Sequence, residues 1–354
     1  MNTGTKVLAG LTAGALITGA AAAIGVAVLG NRALRQWQHR RSDTLRGKTV
    51  LITGGSRGLG LALAEEFARQ GCNIVICARS DEELQRAARM VESLGAEVQP
   101  LTCDLTNPDD VDQMISLARN RFDGIDILIN NAGTISVGPL LSQTLKDFQE
   151  AMDVMFWGTV YPTLALLPEM ITRGDGRIVN ITSIGGKVSI PHLLPYSCAK
   201  FAAVGFSEGL HAEVRKFGVH VLTVAPGLMR TGSHINAYFK GKQKQEYGWF
   251  ALSGTNPLLS VSAERAARQI VNAARKRQTE LIVGWQAKLL ATMHGVAPGL
   301  TQEALAMVNR LLPTADGTSD KQSGRDSESV VTRSPLTALG RRAAQRYNQV
   351  SETA

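Results

Sequence analysis

Aromatic residues are scarce in this chain, at 5% of 354 positions, and cysteine occurs only four times. The few aromatics are not interleaved with basic clusters, which argues against a nucleic-acid-binding surface. Cys72, Cys77, Cys103 and Cys198 show no metal-ligand spacing. They read as buried thiols of a reducing compartment, and no metal site is expected. No internal repeat is evident. Charge is absent from Val7 to Leu29, a run of 23 residues. As a helix that run would be about 35 Å long, enough for the hydrocarbon core of a bilayer. Gly10 and Gly14, and Ala21 and Gly25, would let two such helices approach closely.

The charge that is present follows this run. Arg32, Arg35, Arg40, Arg41 and Arg46 stand after it, against Lys6 before it, and they account for much of the net charge of +8. Positive charge on the C-terminal side predicts that this side faces the cytoplasm, beside anionic headgroups. A cleaved secretory signal carries its charges before the apolar run, and a transit peptide is arginine-rich from its start. Residues 1–31 are therefore expected to be an uncleaved single-pass membrane anchor, and 32–45 a basic juxtamembrane linker.

After the linker, Lys48-Thr49-Val50-Leu51-Ile52 reads as a short, β-branched, buried parallel strand. It runs into Thr53-Gly54-Gly55-Ser56-Arg57-Gly58-Leu59-Gly60, and Leu61 to Gln70 has helical apolar spacing. Strand, glycine turn and helix in that order suit a dinucleotide. Gly54, Gly58 and Gly60 let the backbone approach a pyrophosphate at a helix N-terminus. A second strand, Asn73 to Cys77, ends without the carboxylate that would hold a ribose 2′-hydroxyl. Arg79 stands there instead, nineteen residues after Gly60, and Arg57 lies within the turn. Two guanidinium groups suit a 2′-phosphate, so NADP(H) is expected over NAD(H).

Further on, Tyr196 and Lys200 are four residues apart, and Ser183 ends the apolar run Arg177 to Thr182, thirteen residues before the tyrosine. An i, i+4 pair shares one helix face. A phenol titrates near pH ~10 alone, and a fixed cation nearby lowers that value. The trio reads as a proton donor, its tuner and a hydroxyl that holds a carbonyl oxygen.

With these motifs in order, over roughly Arg46 to Trp285, the chain resembles a short-chain dehydrogenase/reductase of the single-domain type. The shared residues are Thr53-Gly54 with Gly58 and Gly60, Asp104-Leu105, Asn130-Asn131-Ala132-Gly133, Ser183, Tyr196, Lys200 and Pro226-Gly227. The resemblance implies a Rossmann-like, doubly wound α/β fold with a seven-stranded parallel sheet over 46–285, its last strand at Glu280 to Val283. It implies cofactor contacts from Ser56 and Leu59 in the turn, from Asp104 and Leu105 near adenine, and from Asn131, Ala132 and Gly133. Tyr196, Lys200, Pro226 and Gly227 would also touch the cofactor, and Thr231 would lie near the nicotinamide carboxamide. Ser183, Tyr196 and Lys200 would be the catalytic set, with Lys200 holding the nicotinamide ribose and lowering the pKa of Tyr196. Related enzymes are often homodimers or homotetramers. One departure stands out: Met155 occupies the position of a family asparagine that helps a water relay protons to the lysine. Methionine is only a weak acceptor.

Tyr238, Phe239, Tyr247, Trp249 and Phe250 fall in the segment that closes over substrate in related enzymes. They suggest a large apolar substrate, or simply pack that lid against the core. Residues 286–312 are expected to form an amphipathic extension at the substrate mouth or on a membrane surface. Residues 313–354 have the composition of a disordered tail, with a short basic helix possible over Pro335 to Val350. The combined expectation is a membrane-anchored NADP-dependent enzyme that interconverts a lipophilic ketone or aldehyde and an alcohol. The alternative is a catalytically weak NADP(H)-binding sensor at the membrane.

Overall fold

The computed structural model describes residues 44–329, 332 and 334–350. The expected anchor, and the linker up to residue 43, lie outside the described residues. In chain order the first half contains β1 (Thr49–Thr53), α1 (Gly58–Arg69), β2 (Asn73–Ala78), α2 (Asp81–Glu92), β3 (Val98–Thr102), α3 (Pro108–Phe122), β4 (Ile127–Asn130), β5 (Ser136–Val137), α4 (Leu145–Met152), α5 (Gly158–Arg173) and β6 (Gly176–Ile181). The second half contains α6 (Leu194–Val214), β7 (Val219–Pro226), β8 (Met229–Arg230), β9 (Tyr238–Phe239), α7 (Gln243–Thr255), β10 (Val261–Ser262), α8 (Ala263–Arg275), β11 (Glu280–Val283), α9 (Trp285–Val296), α10 (Pro298–Asn309), β12 (Gln322–Ser323) and α11 (Ala338–Arg346).

Seven strands form one parallel sheet in the order β11-β7-β6-β4-β1-β2-β3. This is the Rossmann-like α/β architecture expected from the sequence. Alternate side chains of each strand feed opposite faces. On one face Val50, Ile52, Ile74 and Ile76 pack with Leu61, Phe67 and Ile270 from α1 and α8. On the other, Leu51, Val75 and Leu128 pack with Met114, Ile115, Leu166 and Met170 from α3 and α5. A fully buried side chain such as Phe67 contributes about 1.5–3 kcal/mol by this removal from water. The chain travels outward through β1, β2 and β3, then returns to place β4 on the other side of β1. Such a reversal opens a crevice beyond the carboxyl ends of the strands.

Helices α4 and α5 form one continuous stretch, Leu145–Arg173, with a mean hydropathy of 1.2 over its most apolar window. By length and composition alone it could cross a membrane. Leu166 and Met170 are instead fully buried against Ile178 of the sheet. Between α4 and α5, residues Asp153–Trp157 make a single π-helical turn. Such turns are frequent at functional sites.

Two small sheets close the top of the fold. In one, β9 pairs with both β5 and β12, and in the other β8 pairs with β10. Phe239 and Tyr247 meet edge to face at 5.2 Å within a satellite cluster that includes Val137, Ala237 and Ala251. Phe239 and Tyr247 therefore pack the lid against itself. Two buried polar pairs fasten the same region. Lys240 contacts Asp147 at 2.5 Å, and Glu246 meets His192 at 2.9 Å while accepting from Trp249 Nε1 at 2.7 Å.

The described residues of 313–350 depart from the disordered tail expected for 313–354. Helices α9 and α10 leave Trp285, Leu289, Met293, Val296, Leu300 and Met307 exposed. Beyond them β12 adds to β9, and α11 returns to the main body. Tyr347 is buried in the main core, and Ser327 is fully buried. Composition averages over such a segment and misses the few residues that anchor it. Cys198 also departs from expectation: it is exposed, while Cys72, Cys77 and Cys103 are buried.

Candidate active site

The glycine turn forms where β1 ends beside β4. Thr53 Oγ1 accepts from the amides of Asn131 and Ala132 at 2.9 and 3.1 Å. Asn131 Nδ2 donates back to the carbonyls of Thr53 and Gly54 at 3.0 and 3.1 Å. The two strand ends are thus tied together, and the Asn131 amide is engaged in holding the turn. Gly54 has φ +63°, in the left-handed region that favours glycine. A Cβ on Gly60 would lie 2.1 Å from the Gly54 carbonyl oxygen, so only glycine lets α1 start this close to the turn. No side chain caps α1, and its first turn carries no acidic residue. The positive end of that helix dipole is therefore not neutralised from within the helix.

The two arginines of the expected 2′-phosphate site differ in surroundings. Arg79 is exposed. Arg57 is held by Glu83 of α2 at 3.0 Å, and Ser56 Oγ donates to the same carboxylate at 3.2 Å. Asp104 accepts from the amide and hydroxyl of Thr106, and Leu105 is buried beside it. Gly227 follows Pro226 at the end of β7, where its amide donates to Val283. Thr231 is buried on the far side of the turn, with its Cβ 3.9 Å from the position a Cβ on Gly58 would take.

Ser183, Tyr196 and Lys200 converge at the end of β6. Ser183 leaves the strand in extended conformation and accepts from Gly185 N at 2.9 Å. Tyr196 lies in the first turn of α6, one turn before Lys200 on the same face. A Cβ on Gly185 would sit 3.1 Å from the Tyr196 ring, and one on Gly186 would sit 2.5 Å from the Lys200 carbonyl oxygen. This glycine pair lets the serine loop lie flat on α6. Sequence reasoning missed it, although Gly185-Gly186 directly follows Ser183-Ile184.

Burial raises the Tyr196 phenol above its ordinary value, and a hydrogen bond with Ser183 opposes that rise. Lys200 is not among the groups that lower it. Its ammonium lies 5.9 Å from the tyrosine ring centroid and donates to the Ile181 carbonyl at 2.9 Å. Burial pushes Lys200 itself down to about 8. In this arrangement the phenol keeps its proton at neutral pH.

Met155 lies in the π turn and is buried. A Cβ built on Gly133 would be 3.7 Å from its Sδ and 3.9 Å from Lys200 Nζ, so methionine and lysine flank the same point. Met155, Tyr196, Thr134 and Lys321 line a cavity of about 10 Å³, room for one water at most. A larger, open groove of about 630 Å³ lies elsewhere, between α1 and α8. It is lined by Glu66 and several arginines, and it touches none of the converging residues.

Comparison with known proteins gives these residues a context. The pattern of the short chain dehydrogenase family matches residues 48–239. The "Dehydrogenase/reductase SDR family protein 7-like" of Drosophila melanogaster is 33% identical over 277 residues, covering 75% of this chain and 82% of that protein. The fatty acyl-CoA reductase of Acinetobacter baylyi is 29% identical over 287 residues, covering 79% and 90%. Among solved structures, L-sorbose reductase of Gluconobacter frateurii, complexed with NADPH and L-sorbose, aligns with a TM-score of 0.61 at 30% identity. That alignment covers 67% of this chain and 95% of the reductase. The chain belongs to the short-chain dehydrogenase/reductase family and is an NAD(P)-dependent oxidoreductase.

Proposed function

We propose that the chain is a membrane-anchored, NADP(H)-dependent carbonyl reductase or alcohol dehydrogenase for a lipophilic ketone, aldehyde or alcohol. The observation that carries this reading is the convergence of Ser183, Tyr196 and Lys200 beside the glycine turn.

The residues present fit a nicotinamide dinucleotide. At Gly54, Gly55 and Gly60 the backbone is too close-packed for a Cβ, and no side chain caps the N-terminus of α1, which suits an anion. Gly54, Gly58 and Gly60, with Ser56 and Leu59, would hold the pyrophosphate side. Asp104, Leu105, Asn131, Ala132 and Gly133 would line the adenosine side. Pro226, Gly227 and Thr231 would line the nicotinamide side. When bound, that group supplies or accepts the hydride. Tyr196 keeps its phenolic proton at neutral pH and gives it to the carbonyl oxygen in reduction. Ser183 orients that oxygen, and Lys200 holds the ribose edge from its seat on the Ile181 carbonyl.

For the phosphate preference, Arg57 and Arg79 support NADP(H), and Arg57 would have to exchange Glu83 for the 2′-phosphate. The NADPH named with the sorbose reductase points the same way. The uncharged run Val7–Leu29 and the arginines after it support a bilayer anchor with the enzyme on the cytoplasmic side. The anchor and the fatty acyl-CoA reductase relative support a lipophilic substrate. Carbonate washing of membranes tests the anchor: release of the intact protein overturns it.

Tyr196→Phe tests the chemistry. NADPH oxidation with lipophilic ketones and aldehydes should fall by about 10²–10⁴-fold, while NADPH binding persists. Undiminished turnover refutes the assigned acid. Met155 favours a second reading, a nucleotide-binding sensor with little turnover. NADPH binding without oxidation across the whole substrate panel supports the sensor. A gain of turnover in Met155→Asn shows instead that the proton relay limits an enzyme.

A further inference from the structure

Residues 347–349 occupy the place where a dinucleotide would meet the glycine turn. The first amide of α1, Gly58 N, donates to the Tyr347 carbonyl at 2.9 Å. The side-chain amide of Asn348 donates to the carbonyls of Ser56 and Glu83 at 2.8 and 3.0 Å. Its oxygen accepts from Arg86 Nε at 3.0 Å. Gln349 continues across the turn, with its Nε2 2.8 Å from where a Cβ on Gly58 would stand. Its backbone and side-chain oxygens accept from Asn236 at 2.9 and 2.7 Å.

The approach is close along the whole segment. A Cβ on Gly232 would lie 2.4 Å from the Ala344 Cα. Arg346 grips Glu65 of α1 with two bonds of 2.7 Å. Asn348 and Gln349, both polar, are buried on this surface. Polar side chains that surrender water need matched partners, and these have them. A carbonyl oxygen on a free helix N-terminus also makes the kind of contact that a phosphate oxygen makes there.

We propose that residues Ala338–Gln349 are an intrachain strap that competes with the dinucleotide for the glycine turn. The proposal rests on the reading of that turn as the nucleotide site. Pyrophosphate and strap need the same amide of Gly58 and the same surface over Ser56, so binding of one requires release of the other. A tethered competitor acts at high effective concentration. The apparent nucleotide affinity is then the intrinsic affinity reduced by the fraction of molecules with the strap open.

The test is NADPH titration of the full chain by fluorescence, wild type against Asn348→Ala/Gln349→Ala. This double variant leaves Tyr347 in the core. Arg346→Gln loosens the same segment from outside the turn and should act in the same direction. Both variants should bind NADPH about tenfold or more tightly than wild type. Saturating NADPH should also speed amide hydrogen exchange over 338–349 in the wild type. Equal or weaker binding by the variants overturns the strap and leaves the nucleotide reading standing. Slower exchange over 338–349 overturns it too, since the segment would then close over bound nucleotide. If wild type and variants all fail to bind NADPH and NADH, both readings fall together.

Discussion

Lys240, directly after the lid strand β9, pairs with Asp147 in the first turn of α4, and each side chain is 4% exposed. Replacing Lys240 with methionine keeps most of the stem and removes the charge. Asp147 would then be left as a buried carboxylate whose remaining partners are the amide and hydroxyl of Thr144, at 2.7 and 2.8 Å. Breaking a buried pair from one side costs about 3–5 kcal/mol, chiefly because the stranded charge has no water. Lys240→Met should therefore lower the urea-unfolding free energy by about that amount at pH 7. Lys240→Met/Asp147→Asn should recover much of the loss, because the amide keeps the Thr144 cap without the charge. The sign of the pH dependence follows. Burial raises the Asp147 carboxyl, but the bonds from Lys240 and Thr144 outweigh it, and the net shift is downward. In the wild type that stabilisation is present above the unfolded value near ~4 and is lost as pH falls through the folded value. In Lys240→Met burial prevails and the shift turns upward, so the variant's deficit should shrink between about pH 7 and 4. A deficit under about 1 kcal/mol, or one that ignores pH, refutes the argument that the charge is trapped.

Two further outcomes are expected. Gly60→Ala brings a methyl within 2.1 Å of a backbone oxygen and 2.7 Å of the Asn131 amide, so the turn must move. Thermal stability should fall by about 1–3 kcal/mol and NADPH binding should weaken; an unaltered protein on both counts shows that the turn is slack. Lys200 carries a depressed value of about 8 through burial, so its charge costs stability at pH 7. Lys200→Met should be inactive yet about 2–3 kcal/mol more stable at pH 7. Because the unfolded lysine still binds a proton between about pH 8 and 10.5, the wild type gains on the variant as pH rises through that window. A variant less stable than wild type at pH 7 sinks this assignment.

The sheet and the convergence of Ser183, Tyr196 and Lys200 were legible because they rest on local signals. Thr49 to Thr53 and Asn73 to Ala78 are short β-branched runs, the glycine turn announces its backbone, and Tyr196 and Lys200 share a helix face by spacing alone. What escaped depends on contacts far apart in sequence. Nothing near Arg57 announces that Glu83 will hold it, and nothing near Asn348 announces Ser56. Phe239 and Tyr247 look alike as substrate wall or as packing until their partners are known. The depression of Lys200 is a property of its burial, and spacing gave only its neighbour. The polar stretch after Pro313 resembles a solvated chain in composition, yet Tyr347, Asn348 and Gln349 suffice to fasten its end.

The π turn at Asp153–Trp157 carries a lasting implication for how this scaffold can change. A π turn holds one residue more than the α turn it replaces, and each residue turns a helix by about 100°. Deleting one residue there would swing whatever stands at position 155 away from the phenol, or else rotate Leu166 and Met170 out of the sheet. The lining of the reaction chamber can thus be re-indexed by a single codon while all seven strands keep their register.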